Sequence, residues 1–209
     1  MQHNADILVE ESTLVKEAIE KSLDYSAYRE LVQKQVAEGR TSGLNQSEAY
    51  VYYTLLNHKR MNRWDKKIVL PEVLKTTLAE MEQNRIWLVL TETWCGDAAP
   101  VLPVMHAFAS AAPSLNLRIA HRDEHPLLMD RFLTEGARSI PKLLAVRPDS
   151  NQVVGSWGPR PNGARQLVES YKEKHGKLTP EFRESLQKWY NQDQGAQIIQ
   201  ELSSLLALE

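Results

Sequence analysis

The sequence has a single cysteine, Cys95, among its 209 residues. One cysteine excludes an intramolecular disulfide, which agrees with a reducing compartment. The chain is also poor in phenylalanine, with three, although it has five tryptophans and seven tyrosines. With 209 residues, 42% of them hydrophobic, the chain is long enough to bury one substantial core.

Long hydrophobic runs and an excess of one charge are absent as well. The longest apolar run, Ile86–Leu90, is far too short to span a bilayer. The formal net charge is −2, which gives no long-range attraction for nucleic acid or an anionic membrane. The N-terminus, MQHNADILVEESTLVKE, lacks the basic start and apolar stretch of an export signal. We therefore expect a cytoplasmic protein with neither nucleic acid nor membrane as a partner.

The pattern of apolar residues divides the chain into three parts. Residues 1–67 show helical spacing and are predicted to be a helical extension. Residues 68–175 are predicted to form an α/β domain, and residues 176–209 a second helical extension that starts with Thr179 as the cap and Pro180 in the first turn. The pattern does not predict an oligomeric state.

Within the α/β part, strands and helices alternate. Four strands are predicted at 86–90, 115–120, 142–146 and 152–156, with helices at about 97–111, 125–134 and 162–174. Lys66–Leu70 is predicted as a further short strand, and Pro71 as the start of a helix that ends near Gln83. This order indicates a mixed sheet with helices on both faces.

Cys95 follows the first of these strands and precedes a helix. At the N-terminus of a helix, free backbone N–H groups and the helix dipole favour a thiolate. Pro103 lies inside the same helix, where proline is costly without a kink. The dipeptide Ile140-Pro141 stands just before the third strand, where we predict a cis bond that turns its neighbours toward the sulfur.

These residues resemble a thioredoxin, and the resemblance covers about residues 68–174. It implies the thioredoxin-like fold, α/β with a central mixed sheet, and Cys95 as the catalytic residue. More narrowly, the sequence resembles a group of bacterial thioredoxin-like proteins with a helical N-terminal extension and no established function. The segments that carry this resemblance are WCGDAA (94–99), HRDE (121–124), LTEG (133–136), SIP (139–141) and SWGPRP (156–161).

Three departures from the thioredoxin pattern limit the expected chemistry. Ala98 stands where the second, resolving cysteine belongs, so the chain is not a dithiol disulfide reductase. Val89 replaces a buried carboxylate six residues before Cys95. Asp97 replaces the usual proline, and its charge favours the helix N-terminus but opposes a nearby thiolate. We interpret Asp97 mainly as a stabiliser of the first helical turn.

The remaining site candidates lie around the same end of the sheet. Arg122 and Asp123 follow the second strand, where ligands collect in such sheets, although a local ion pair explains them equally well. Arg160 is expected either to bind a carboxylate or to lie in solvent. His121 and His125 straddle a strand end, which favours a polar loop over a metal site, and no cofactor is predicted. The predicted binding residues are Trp94, Gly96, Asp97, Arg122, Asp123, Ile140, Pro141, Trp157 and Arg160.

Three functions remain open from the sequence. The first is monothiol exchange, in which Cys95 attacks a disulfide of a protein or a low-molecular-weight thiol. The second is a non-redox binding module that keeps the cleft between Trp94, Pro141 and Trp157 for a peptide. The third, an iron–sulfur carrier of the monothiol glutaredoxin kind, lacks the motifs of that group. An exposed thiol of low pKa would favour the first function, and a buried inert thiol the second.

Overall fold

The computed structural model describes residues 2–208, which form nine α-helices and one four-stranded sheet. The helices are α1 (Gln2–Lys21), α2 (Tyr25–Ala37), α3 (Glu48–Lys67), α4 (Glu72–Ala79), α5 (Ala98–Ala111), α6 (Pro126–Arg131), α7 (Asn162–His175), α8 (Pro180–Asp193) and α9 (Ala196–Leu208). The strands are β1 (Arg85–Thr91), β2 (Leu115–His121), β3 (Lys142–Val146) and β4 (Val153–Trp157). None of the helices in this range is long and apolar enough to cross a membrane.

The sheet has the strand order β2-β1-β3-β4. β1 pairs with β2 in parallel, whereas β3 pairs with β1 and with β4 antiparallel. β1 is buried without alternation from Trp87 onward, as a continuous apolar run predicts for a central strand that is covered on both faces. The predicted mixed sheet and the predicted order of its strands and helices are confirmed.

The helical extensions pack against the two outer strands of this sheet. On the β2 side, Leu23 follows α1 and forms an antiparallel bridge with Ile119, with two backbone hydrogen bonds of 2.8 Å. On the β4 side, α9 brings Leu205 so close to Gly155 that a Cβ there would lie 2.8 Å from a Leu205 methyl carbon. The outer edge of β2 is therefore paired at Ile119, which limits pairing with other chains there, while α9 packs on a face of β4.

The strand predicted at Lys66–Leu70 is wrong. α3 continues to Lys67, and the N–H of Ile68 donates to the carbonyl of Trp64 as part of the helix end. The next residues lead without regular structure into Pro71, which has no N–H to contribute to a sheet. α4 also ends at Ala79, four residues before the predicted end.

Candidate functional site

Cys95 lies in the turn that joins β1 to α5. Its backbone N–H donates to the carbonyl of Glu92 at 3.0 Å, which closes the turn. Its sulfur donates to the carbonyl of Ile140 at 3.3 Å, directly before the cis peptide bond to Pro141. The residue is only 6% exposed, so the thiol lies in the core and not on the surface of a cleft.

Of the two states that the sequence leaves open for Cys95, an accessible thiolate and a buried thiol, this conformation favours the buried thiol. Burial and then the negative charge of Asp97 raise the pKa of Cys95 to about 12. Hydrogen bonds from the N–H groups of Ala98 and Asp97, and the charge of Arg160, act in the opposite direction but are weaker. Burial and the Asp97 charge thus favour the protonated thiol at neutral pH. The helix N-terminus is present, but desolvation of the sulfur outweighs it.

Asp97 is an ion-pair partner and not a helix cap. Its side chain makes no capping hydrogen bond to α5. Instead, Oδ2 lies 2.6 Å from Nη2 of Arg160, and Oδ1 accepts a hydrogen bond of 3.0 Å from the hydroxyl of Tyr190 in α8. The predicted role in the first helical turn is therefore replaced by a buried pair. Arg160 therefore does not lie free in solvent but pairs with a carboxylate of the chain itself.

The loop that carries Arg160 packs tightly on Pro141. Gly158 has φ +109°, and a Cβ on it would lie 2.2 Å from the carbonyl oxygen of Pro141. Only glycine combines this backbone conformation with so close an approach. The segment between β4 and α7 is thus pressed against the residue that follows Ile140, and Arg160 reaches Asp97 from there.

Two helices of the extensions cover the same turn. In α8, the side-chain amide of Gln187 donates to the carbonyl of Gly96 at 2.9 Å. In α3, Asn57 donates to the carbonyl of Thr93 at 3.0 Å and accepts from Arg60 at 2.9 Å. The backbone on both sides of Cys95 is therefore bonded to helices outside the predicted α/β domain. The closed conformation is the name we use for this arrangement of α3, α8 and Arg160 over residues 93–97.

Trp94 lies at the edge of the closed site. Tyr50 of α3 stacks on its ring at a centroid distance of 4.5 Å, and the guanidinium of Arg122 lies 5.1 Å from the ring centroid. Arg122 also pairs with Asp123, with Nε to Oδ1 at 2.8 Å. The local ion pair considered for these two residues is therefore present, and Arg122 additionally contacts Trp94.

Trp157 is directed to α9 and not to a peptide groove. Its indole N–H donates to Glu201 at 2.7 Å. Because Ile140 and Pro141 are buried, the cleft predicted between Trp94, Pro141 and Trp157 is not open in the closed conformation. The structure brings Cys95, Asp97, Ile140 and Arg160 together, as the sequence predicts, but it fills the space around them with the chain itself.

Sequence reasoning missed a buried carboxylate three residues before Cys95. Glu92 is fully buried and accepts hydrogen bonds from the hydroxyl of Ser42 and, at 2.9 Å, from the N–H of Asp123. Nδ1 of His121 lies 3.5 Å from Oε2 of Glu92, an ion-pair distance that is long for a hydrogen bond. The position of Glu92 directly after an apolar strand was the available signal. The thioredoxin pattern has its buried carboxylate six residues before the cysteine, where this chain has Val89, and it therefore gives no indication of Glu92.

The ionisation of the Glu92–His121 pair follows from these contacts. Burial alone raises the pKa of Glu92, but His121, the Ser42 hydroxyl and the Asp123 N–H together lower it below its ordinary value. Burial alone lowers the pKa of His121, but the Glu92 carboxylate and weaker acidic neighbours raise it. Both shifts favour the charged form of the pair.

A hydroxyl cluster next to this pair ties the connection between α2 and α3 to the turn. The Thr93 hydroxyl donates to Gln35 of α2 at 2.8 Å and accepts from the N–H of Ser42 at 3.0 Å. Thr41 and Thr54 are bonded to each other at 2.6 Å beside it. Within residues 2–208, the His, Cys, Asp and Glu side chains that can be assessed form no group that could hold a metal ion.

Comparison with known proteins supports the fold and leaves the activity open. The crystal structure of an HIV epitope-scaffold matches with a TM-score of 0.61 and 17% identity over 92% of this chain and 96% of that one. A protein of unknown function from Pseudomonas aeruginosa matches with a TM-score of 0.53 and 20% identity over 76% of this chain and 86% of that one. At these identities the likeness shows the fold alone. No curated protein matches.

The model of a protein family described as thioredoxin matches residues 43–172. This match covers more than half of the chain and includes Cys95, Ile140-Pro141 and Arg160. The match begins at residue 43, in the loop before α3, so it also includes the helix that covers the turn around Cys95. The chain belongs to the thioredoxin family.

Proposed function

We propose that this protein is a thioredoxin-fold binding protein that carries out no thiol chemistry in its closed conformation. One observation carries the proposal: the only sulfur that could act as a nucleophile is buried, donates to Ile140 and has its pKa raised to about 12. A working nucleophile of this kind needs an accessible thiolate. Partners are proteins or small molecules that bind without a covalent bond to Cys95.

The contacts around Cys95 support a structural role for this residue. Its neighbours on both sides in the chain are bonded to α3 and α8, and Asp97 is fixed by two partners at once. A buried cysteine of this kind behaves as a small apolar side chain with a weak hydrogen-bond donor. Cys95 stands at the position of the first thioredoxin cysteine, but its sulfur lacks the exposure that thiol-disulfide exchange requires.

Monothiol exchange through Cys95 is the second candidate. It is favoured by one observation: the N–H groups of Asp97 and Ala98 at the start of α5 are directed at the sulfur and lower its pKa against burial. In this function the Cys95 thiolate attacks a disulfide, forms a mixed disulfide and releases the other sulfur as a thiol, and a second small thiol later reverses the step. It requires that α8 and Arg160 move away from the turn.

Mixed-disulfide formation distinguishes the two functions. Reduced protein is incubated with glutathione disulfide at pH 7.5, and the adduct on Cys95 is followed by mass spectrometry, natively and in urea. We expect adduct formation in urea and almost none in the native protein over the same time. Rapid native adduct formation would reject the binding-protein proposal and establish monothiol exchange.

The dependence of partner retention on the sulfur gives a second test. Wild-type protein and Cys95→Ala are compared as baits in the presence and absence of a reductant. A binding protein retains the same partners in all four samples, because no covalent bond is involved. Partners that are held only by the wild type and only without reductant would contradict the proposal.

A further inference from the structure

A cavity of about 290 Å³ lies between the C-terminal ends of α3 and α8, outside the residues that surround Cys95. This volume is at the lower end of the range for small-molecule sites. The cavity is lined by Arg63, Trp64, Lys67, Val69, Asn191 and Gln194. It therefore has walls from both helical extensions and none from the sheet.

One wall carries two cations without counter-charges. Arg63 and Lys67 are one helical turn apart on α3, and no ion pair within residues 10–206 involves either of them. The acidic residue between them, Asp65, is engaged elsewhere, with the hydroxyl of Tyr25 at 2.5 Å and Nε of Arg29 at 3.3 Å. Like charges at this spacing repel each other, and an anion bound between them would remove this repulsion.

The other walls offer neutral hydrogen-bonding groups and apolar surface. Asn191, near the end of α8, and Gln194, directly after it, line the same cavity, and their side-chain amides have N–H groups that can donate to an anion. Trp64 is buried at the base, whereas Val69 is 70% exposed at the rim. The C-terminal ends of α3 and α8 each carry a partial negative charge of about half a unit. The two full positive charges of Arg63 and Lys67 outweigh it.

We propose that this cavity binds a small organic anion that carries phosphate or carboxylate oxygens next to an apolar group. Arg63 pairs with two of these oxygens, Lys67 supplies the second positive charge, and the apolar group lies against Trp64 and Val69. The inference rests on the proposed function, since it names a ligand class for a binding protein. The proposed function and the anion site can be rejected independently. A reactive Cys95 would say nothing about this cavity, and a failure to bind the anion would leave the thiol buried.

Calorimetric titration of the full chain with phenyl phosphate and with benzoate tests the inference, with phenol as the neutral control. We expect saturable binding of at least one anion with a Kd of about 1 mM or tighter, and no binding of phenol. The double variant Arg63→Gln/Lys67→Gln should weaken it at least tenfold. The matched double variant Lys59→Gln/Lys66→Gln removes the same charge from the same helix outside the cavity and should change the Kd less than twofold.

Two calorimetric results would overturn the inference. One is the absence of saturable binding by either anion up to about 10 mM. The other is equal weakening in both double variants, which shows attraction to the charge of α3 as a whole. The Trp64 indole N–H resonance, assigned by its absence from the spectrum of Trp64→Phe, should shift on titration of the wild type, which gives a measurement that does not depend on the charge variants. No shift under saturating anion would also count against the cavity.

Discussion

Loss of Arg160 tests how the closed conformation is held together. Arg160→Met keeps most of the apolar stem but leaves the Asp97 carboxylate, 8% exposed, with the Tyr190 hydroxyl as its remaining partner. Breaking a buried ion pair by removal of one partner costs about 3–5 kcal/mol. Because the Arg160 side chain keeps 21% exposure, we expect a loss of about 3 kcal/mol, at the lower end of that range.

The double variant Arg160→Met/Asp97→Asn isolates the charge that is left behind. Asparagine has no charge to desolvate, so the double variant should be more stable than Arg160→Met alone, although two groups have changed. Urea unfolding followed by far-UV circular dichroism measures the free energies of unfolding. Arg138→Met is the matched control, because Arg138 and Asp130 form a well-aligned pair that is about half exposed. We expect a much smaller effect there.

Two outcomes would refute this reasoning. A loss below about 1 kcal/mol for Arg160→Met would mean that the pair behaves as an exposed one. A double variant that is no more stable than Arg160→Met would mean that the Asp97 carboxylate carries no penalty after Arg160 is removed.

Two further predictions concern the backbone next to Pro141 and the buried ion pair. Gly158→Ala should destabilise the protein far more than Gly136→Ala in urea unfolding, because both have positive φ but only Gly158 would place a Cβ against the Pro141 carbonyl; equal losses would contradict the close approach. His121→Gln should cost more stability at pH 6 than at pH 9. The raised pKa of His121 gives stability that is complete below about pH 6.5 and is lost as the pH rises through the folded-state value, while the lowered pKa of Glu92 keeps its partner charged throughout. A cost that does not change with pH would show that the imidazole is neutral in the folded protein.

The strands and the order of elements were predictable because they depend on local patterns. An unbroken apolar run at 86–90 indicates a central strand, and proline and threonine at the start of α8 mark a helix N-terminus without reference to the rest of the fold. The wrong strand at Lys66–Leu70 has the same origin, because a short apolar run is compatible with a helix end as well as with a strand.

The state of Cys95 was not predictable from its neighbours in the sequence. The helix N-terminus and the Trp-Cys-Gly motif favoured a thiolate, but burial of the sulfur in the core raises its pKa. Gln187 and Tyr190, which bond to the adjacent residues Gly96 and Asp97, are more than 90 residues away in the sequence. The ion pair between Arg160 and Asp97 depends on tertiary packing, which a single sequence does not show. The sequence therefore indicated most residues of the site, whereas their degree of exposure depends on contacts with the helical extensions.

Alkylation of Cys95 by iodoacetamide in the native protein, measured from pH 7 to pH 9, tests the central claim most directly. We expect slow native labelling over the whole range and the rate of a free thiol in urea. We also expect Tyr190→Phe, which loses its bond to Asp97, to label faster than the wild type. Cys95→Ser serves as the blank. Native labelling at the rate of an exposed thiol, with an ionisation below pH 8 and no response to Tyr190→Phe, would contradict the claim that this thiol is closed off by α8 and its partners.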